Sequence, residues 1–140
     1  MSNIDRYDLN ELNNKFVQWS HDTGLATGST VEKQSSKYLE EFCELIAALH
    51  PGTEPGDVVN IIVSMLHDLY NRGRIKSVAP KNAVDAQVDA IGDMDVVGTV
   101  MLEILRVSKA TCLNSVYDII SKRTEGGKLI NGNFVKAEDL

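Results

Sequence analysis

The sequence predicts an all-α protein: a bundle of four to five helices with a short extended or hairpin C-terminal tail. Three observations predict it. Apolar residues recur at three- and four-residue spacing through most of the chain. Glycine and proline punctuate those stretches, leaving short joining segments. A chain of 140 residues, 43% apolar and 24% charged, has the size and composition of one soluble domain, so residues 1–140 read as a single helical domain.

The first helix runs from about Asp5 to Ser20, with Tyr7, Leu9, Leu12, Phe16 and Trp19 on its apolar side. A loop from His21 to Gly28 follows, with Gly24 and Gly28 as breakers. Ser29-Thr30-Val31-Glu32 fits a capping box with Ser29 as N-cap, and this second helix extends to about His50, before Pro51-Gly52. Pro55-Gly56-Asp57 opens a third helix with Asp57 as N-cap. Its stripe is Val58, Ile61, Ile62, Met65, Leu66 and Leu69, and it ends at Asn71-Arg72-Gly73. Residues 74–82 connect to a fourth helix from Ala83 to about Val107, and a fifth spans about Cys112 to Lys122. Asn131-Gly132 is a turn signal between two short apolar runs.

A net charge of −6 argues against a nucleic-acid duplex as partner, because such binders need a basic face. An acidic protein that binds phosphate compounds needs metal ions to bridge the like charges. No apolar run approaches the ~20 residues of a membrane span, and the first residues carry no secretory pattern. Cys43 and Cys112 are too few for a disulfide framework, and Cys43 reads as a buried reduced thiol. The expected compartment is the cytoplasm, a host's cytoplasm for a phage-encoded chain.

The second helix divides Tyr38, Leu39, Phe42, Leu45, Ile46 and Leu49 from Lys37, Glu40, Glu41 and Glu44. Glu41 and Glu44, three apart, are surface neighbours. Taken alone, this acidic side is the solvated face of an amphipathic helix. The fourth helix adds a ladder of Asp85, Asp89 and Asp93 at four-residue spacing. Aspartate is a poor interior helix residue, and like charges four apart repel. A divalent cation removes that cost, and Mg²⁺ takes carboxylate oxygens while leaving room for substrate phosphates. The alternative is that Asp85 and Asp89 face water or pair with Lys33 and Lys81. Gly92 and Gly98 each cost roughly 1 kcal/mol of helix stability, which points to close approach of another helix or a ligand.

Four stretches in order resemble the all-alpha nucleoside triphosphate pyrophosphohydrolases, the MazG-like group related to dimeric dUTPases, and above all its short phage and bacterial members. They are Gln18-Trp19 with Thr23-Gly24-Leu25; Ser29-Thr30 with Lys37 through Leu45; Asp89-Ala90-Ile91-Gly92-Asp93; and Lys128 through Lys136. The resemblance implies that Glu41 and Glu44 hold Mg²⁺, or Mn²⁺ as a substitute, together with Asp93 and a partner acid. The family's Glu-x-x-Asp would place glutamate at 90, where this chain has Ala90. Asp89 is the stand-in, with Asp85 behind it. The segment Asp57 to Asn71 is a second departure, since the family's acidic motifs usually stand closer together.

The implied reaction is (d)NTP and water to (d)NMP and pyrophosphate, with water attacking at the α–β linkage. Glu40 or Glu41 accepts the proton. Lys37 either contacts phosphate or pairs with the acids. Lys122 and Arg123 are the implied phosphate contacts, or else ordinary cations at a helix C-terminus. Trp19 stacks on a base or belongs to the core. His21, His50 and His67 have no ligand spacing. A homo-dimer or homo-tetramer is implied by the resemblance alone. Two other functions remain open: a non-enzymatic helical interaction or regulatory module with solvated acidic faces, and the same fold acting on an alarmone-type nucleotide.

Overall fold

The computed structural model describes residues 8–140, and these are mostly helical. The helices are α1 (Leu9–Asp22), α2 (Leu25–Gly28), α3 (Val31–Leu49), α4 (Pro55–Asn71), α5 (Ala83–Ile104) and α6 (Lys109–Arg123). Strands β1 (Lys128–Ile130) and β2 (Asn133–Val135) close the chain. The all-α class therefore holds, with the C-terminal tail as a hairpin. The expected helix start at Asp5, and Tyr7, lie outside the described residues.

The helix ends differ from the sequence reading for local reasons. Asp8 caps α1, its carboxylate accepting the backbone N–H of Asn10 at 2.8 Å. The first break also holds a helical turn, α2, which follows Gly24 and includes Gly28 as its last residue. Helix α3 opens at Val31, one residue later than a Ser29 cap implies. Helix α4 begins two residues before the expected Asp57 cap. Proline lacks an N–H and is pre-set for a first helical position, so Pro55 takes N1 and Glu54 the N-cap place.

Helix α5 stops at Ile104 rather than Val107. Arg106 adopts a left-handed φ of 57°, and the N–H groups of Arg106 and Val107 bond back to Glu103 and Leu102 at 3.0 and 2.9 Å. That is a Schellman ending, here with arginine in the usual glycine place. Ser108 then caps α6, its hydroxyl accepting from Thr111 N–H at 3.2 Å, so α6 starts three residues before the expected Cys112. At the hairpin, Ile130 pairs with Asn133. Asn131 and Gly132 both have positive φ, 52° and 79°, as a two-residue I′ turn demands.

The chain divides into two compact units, residues 31–86 and residues 1–30 with 87–140. In the first, α3 packs on α4, and Ile46 and Val58 are its buried residues. In the second, α1 packs on α6, α2 folds back on α1, and Leu12 and Ala110 are buried, at 2% and 1% exposure. Among the described residues, no helix is long and apolar enough to cross a membrane.

The hairpin is seated by glycines. Leu129 of β1 fills the space that a side chain at Gly28 would take. A Cβ on Gly127 would strike the Phe134 ring and come within 2.7 Å of the Val135 carbonyl oxygen. The Gly127→Ala variant is expected to lose about 1–3 kcal/mol, because a backbone oxygen cannot swing aside. Gly28→Ala costs less, since the end of Leu129 can rotate. Thermal melts of the two variants check this; equal losses contradict it.

Candidate functional site

On α3 the acidic face lies in solvent. Glu40, Glu41 and Glu44 are all exposed. Lys37 Nζ stands 2.9 Å from Glu40 Oε1 and 3.6 Å from Glu41 Oε1, one turn along the helix. The hydrogen bond to Glu40, helped by both negative charges, raises the Lys37 pKa above its ordinary value. The lysine is therefore charged throughout the neutral range, and it pairs with the acids. These exposed contacts contribute little to stability. Glu44 forms no ion pair among the described residues.

On α5, Asp85, Asp89 and Asp93 are exposed, as one of the two alternatives weighed for Asp85 and Asp89 has them. Asp95 meets a cation: Lys109 Nζ lies 2.9 Å from its Oδ2 and 3.1 Å from Thr99 Oγ1. The four carboxylates singled out by sequence thus form two pairs. Glu41 and Glu44 belong to the 31–86 unit, Asp89 and Asp93 to the other. Among the described residues, no group of three or more His, Cys, Asp or Glu side chains is gathered as a metal site. The donors fit a hard cation in kind, all being carboxylate oxygens open to solvent.

Trp19 lies in an open cleft of about 770 Å³ in the unit of α1, α6 and the hairpin. The indole is half-buried, and its N–H donates to Thr124 Oγ1 at 3.0 Å. Thr124 in turn donates to the Ile120 carbonyl at 2.9 Å, which ties Trp19 to the end of α6. Tyr117 and Phe134 also line the cleft, with Lys15 and Lys128 as its cations. Tyr117 meets Phe16 edge-on, with ring centroids 5.5 Å apart at 89°. Lys15 Nζ lies 5.6 Å from the Tyr117 centroid.

Lys122 and Arg123, singled out as phosphate contacts, are exposed in the last turn of α6 and do not line this cleft. Sequence reading missed Lys15 and Lys128. Lys15 was findable, because it precedes Trp19 by four residues on one helix face. Lys128 was not, because the fold of the tail brings it there.

No family model, curated protein or solved structure matches this chain.

Cys43 and Cys112 are free thiols, and Cys43 is half-buried where full burial was expected. His21, His50 and His67 are exposed.

Proposed function

We propose that the chain is a Mg²⁺-dependent nucleoside triphosphate pyrophosphohydrolase, releasing (d)NMP and pyrophosphate. The observation that carries this reading is the Asp85–Asp89–Asp93 ladder. Three like charges stand four residues apart along one face of α5, all exposed, and repel one another. A bound divalent ion is the simplest compensation. The ordered resemblance of four sequence stretches supplies the reaction.

In this reading Glu41, Glu44, Asp89 and Asp93 would hold Mg²⁺, which supplies charge neutralisation on the phosphates and acidifies water when bound. Glu40 or Glu41 takes the proton released as water attacks the α–β linkage. Lys37 fixes both side chains, so a base is held in place before substrate arrives. Trp19 offers a stacking surface for the base. Lys122 and Arg123 remain the proposed phosphate contacts, as residues outside the cleft. A homo-dimer or homo-tetramer in the cytoplasm completes the proposal.

The competing reading is a helical module without catalysis, and the exposure of Glu40, Glu41 and Glu44 on α3 is what favours it. Incubating the full chain with each NTP and dNTP, and with an alarmone, separates the readings. Monophosphate plus pyrophosphate in Mg²⁺ or Mn²⁺ is the expected product from a triphosphate. Turnover of the alarmone alone moves the substrate class, and no turnover of any nucleotide leaves the non-enzymatic module.

Trp19→Ala is expected to raise KM for the preferred nucleotide about tenfold or more, the size of one base stacked on an aromatic ring. Trp19→Phe keeps a stacking ring but loses the bond to Thr124. If stacking is the role, it retains most of the affinity. Equal KM for both variants assigns Trp19 a structural task.

A further inference from the structure

The cleft beside Trp19 lies wholly within the unit of residues 1–30 and 87–140. Several of its neutral side-chain donors are already used inside the chain. The Trp19 indole N–H goes to Thr124 Oγ1 at 3.0 Å, and the Thr124 hydroxyl donates to the Ile120 carbonyl. The Thr23 hydroxyl donates to the Trp19 carbonyl at 2.9 Å, and that of Ser121 to the Asp118 carbonyl at 3.4 Å. Gln18 Nε2 donates to Asp22 Oδ1 at 2.8 Å. A carboxylate only accepts, so this bond also fixes which end of the Gln18 amide is nitrogen. What these groups have left is mostly acceptor capacity: lone pairs on Thr23, Ser121 and Gln18 Oε1, and on the carboxylates of Asp22 and Glu125. Lys15 and Lys128 are the charged donors of the cleft.

Asp22 stands in the last turn of α1, the negative end of the helix dipole, where a carboxylate is disfavoured. It is three residues from Trp19, so the two side chains are neighbours on the helix surface. A ring stacked on the indole has its edge within reach of that carboxylate.

Given a base stacked on Trp19, as proposed above, we propose that the cleft selects nucleotides whose base carries an exocyclic amino group, with Asp22 as the specificity-determining acceptor. Cytosine, adenine and guanine are favoured over uracil and thymine. An amino group brings N–H donors to a wall of acceptors. A carbonyl in its place sets lone pairs against a carboxylate and leaves the wall unpaired, which is how a polar site rejects a close analogue. The cleft is open, so the discrimination is modest rather than absolute. Lys15 and Lys128 match the charge of the nucleotide's phosphate.

Trp19 is the only tryptophan of the chain, so its fluorescence reports binding at this cleft without turnover. The full chain is titrated with nucleoside monophosphates, which have no α–β linkage to cut. Cytidine monophosphate should bind about tenfold more tightly than uridine monophosphate. Guanosine monophosphate should exceed inosine monophosphate, which lacks only the 2-amino group, by a similar factor. Asp22→Asn keeps the shape and can still accept from Gln18, but it puts an N–H donor where an acceptor stood. The cytidine preference should then vanish or reverse, with unchanged helical circular dichroism. Equal binding within both pairs, or an unchanged preference in Asp22→Asn, overturns the proposal and leaves base stacking on Trp19 in place. Quenching by none of the four also overturns it, and turnover of a triphosphate by the same protein then shows that the hydrolase reading survives. Amino-selective quenching in a protein that turns over no triphosphate upholds the selectivity and sinks the hydrolase reading instead.

Discussion

Replacing Glu41 with Gln, or Asp93 with Asn, is expected to lower nucleotide turnover on the order of 100-fold or more. Both side chains are exposed, and neither is a cap or a core residue. The fold should therefore survive, with unchanged circular dichroism and melting temperature. Each amide keeps the size of its acid but loses the charge that holds a hard cation. In steady-state assays the loss should appear in kcat and be partly recovered by raising Mg²⁺. Glu40→Gln separates the two roles. If Glu40 is the base, its loss is not recovered by added metal. If Glu41 is the base, Glu40→Gln is mild, because Lys37 then pairs with Glu41 alone. Asp89→Asn should fall as far as Asp93→Asn if it stands in for the acid missing at Ala90. A wild-type rate for either Glu41→Gln or Asp93→Asn removes the proposed ligand set.

The largest effect on stability is expected at Leu12. It is 2% exposed, and it sits on α1 in the unit where α1 packs against α6. Leu12→Ala removes three buried carbons and leaves a cavity, at a cost of about 2–5 kcal/mol. For a chain of this length that is roughly 10 °C in Tm. Scanning calorimetry checks it against Val17→Ala, on the same helix but 48% exposed, which should move Tm by no more than a degree or two. Equal shifts for the two would mean that Leu12 is not a packing residue.

The secondary structure was legible because it rests on local rules. The periodic apolar residues located every long helix, and Asn131-Gly132 located the hairpin, since both of its residues adopt the left-handed region that a I′ turn requires. The errors came at the ends, where local chemistry was misweighed. Pro55 rather than Asp57 opens α4, and Ser108 opens α6. Arg106 ends α5, because two backbone hydrogen bonds stabilise a conformation that arginine rarely takes.

The acid clusters were legible in the same way, because a spacing of three or four residues makes neighbours on any helix. By itself, then, the sequence determined the helical class, the tail, and which carboxylates stand side by side on α3 and on α5. Those properties depend on residues a few positions apart. Tertiary structure decided the rest. It joined Trp19 to Thr124 across 105 positions and set Lys15 and Lys128 around one cleft. It put Leu129 against Gly28. These contacts join residues far apart in the chain, and no local periodicity encodes which distant side chains meet.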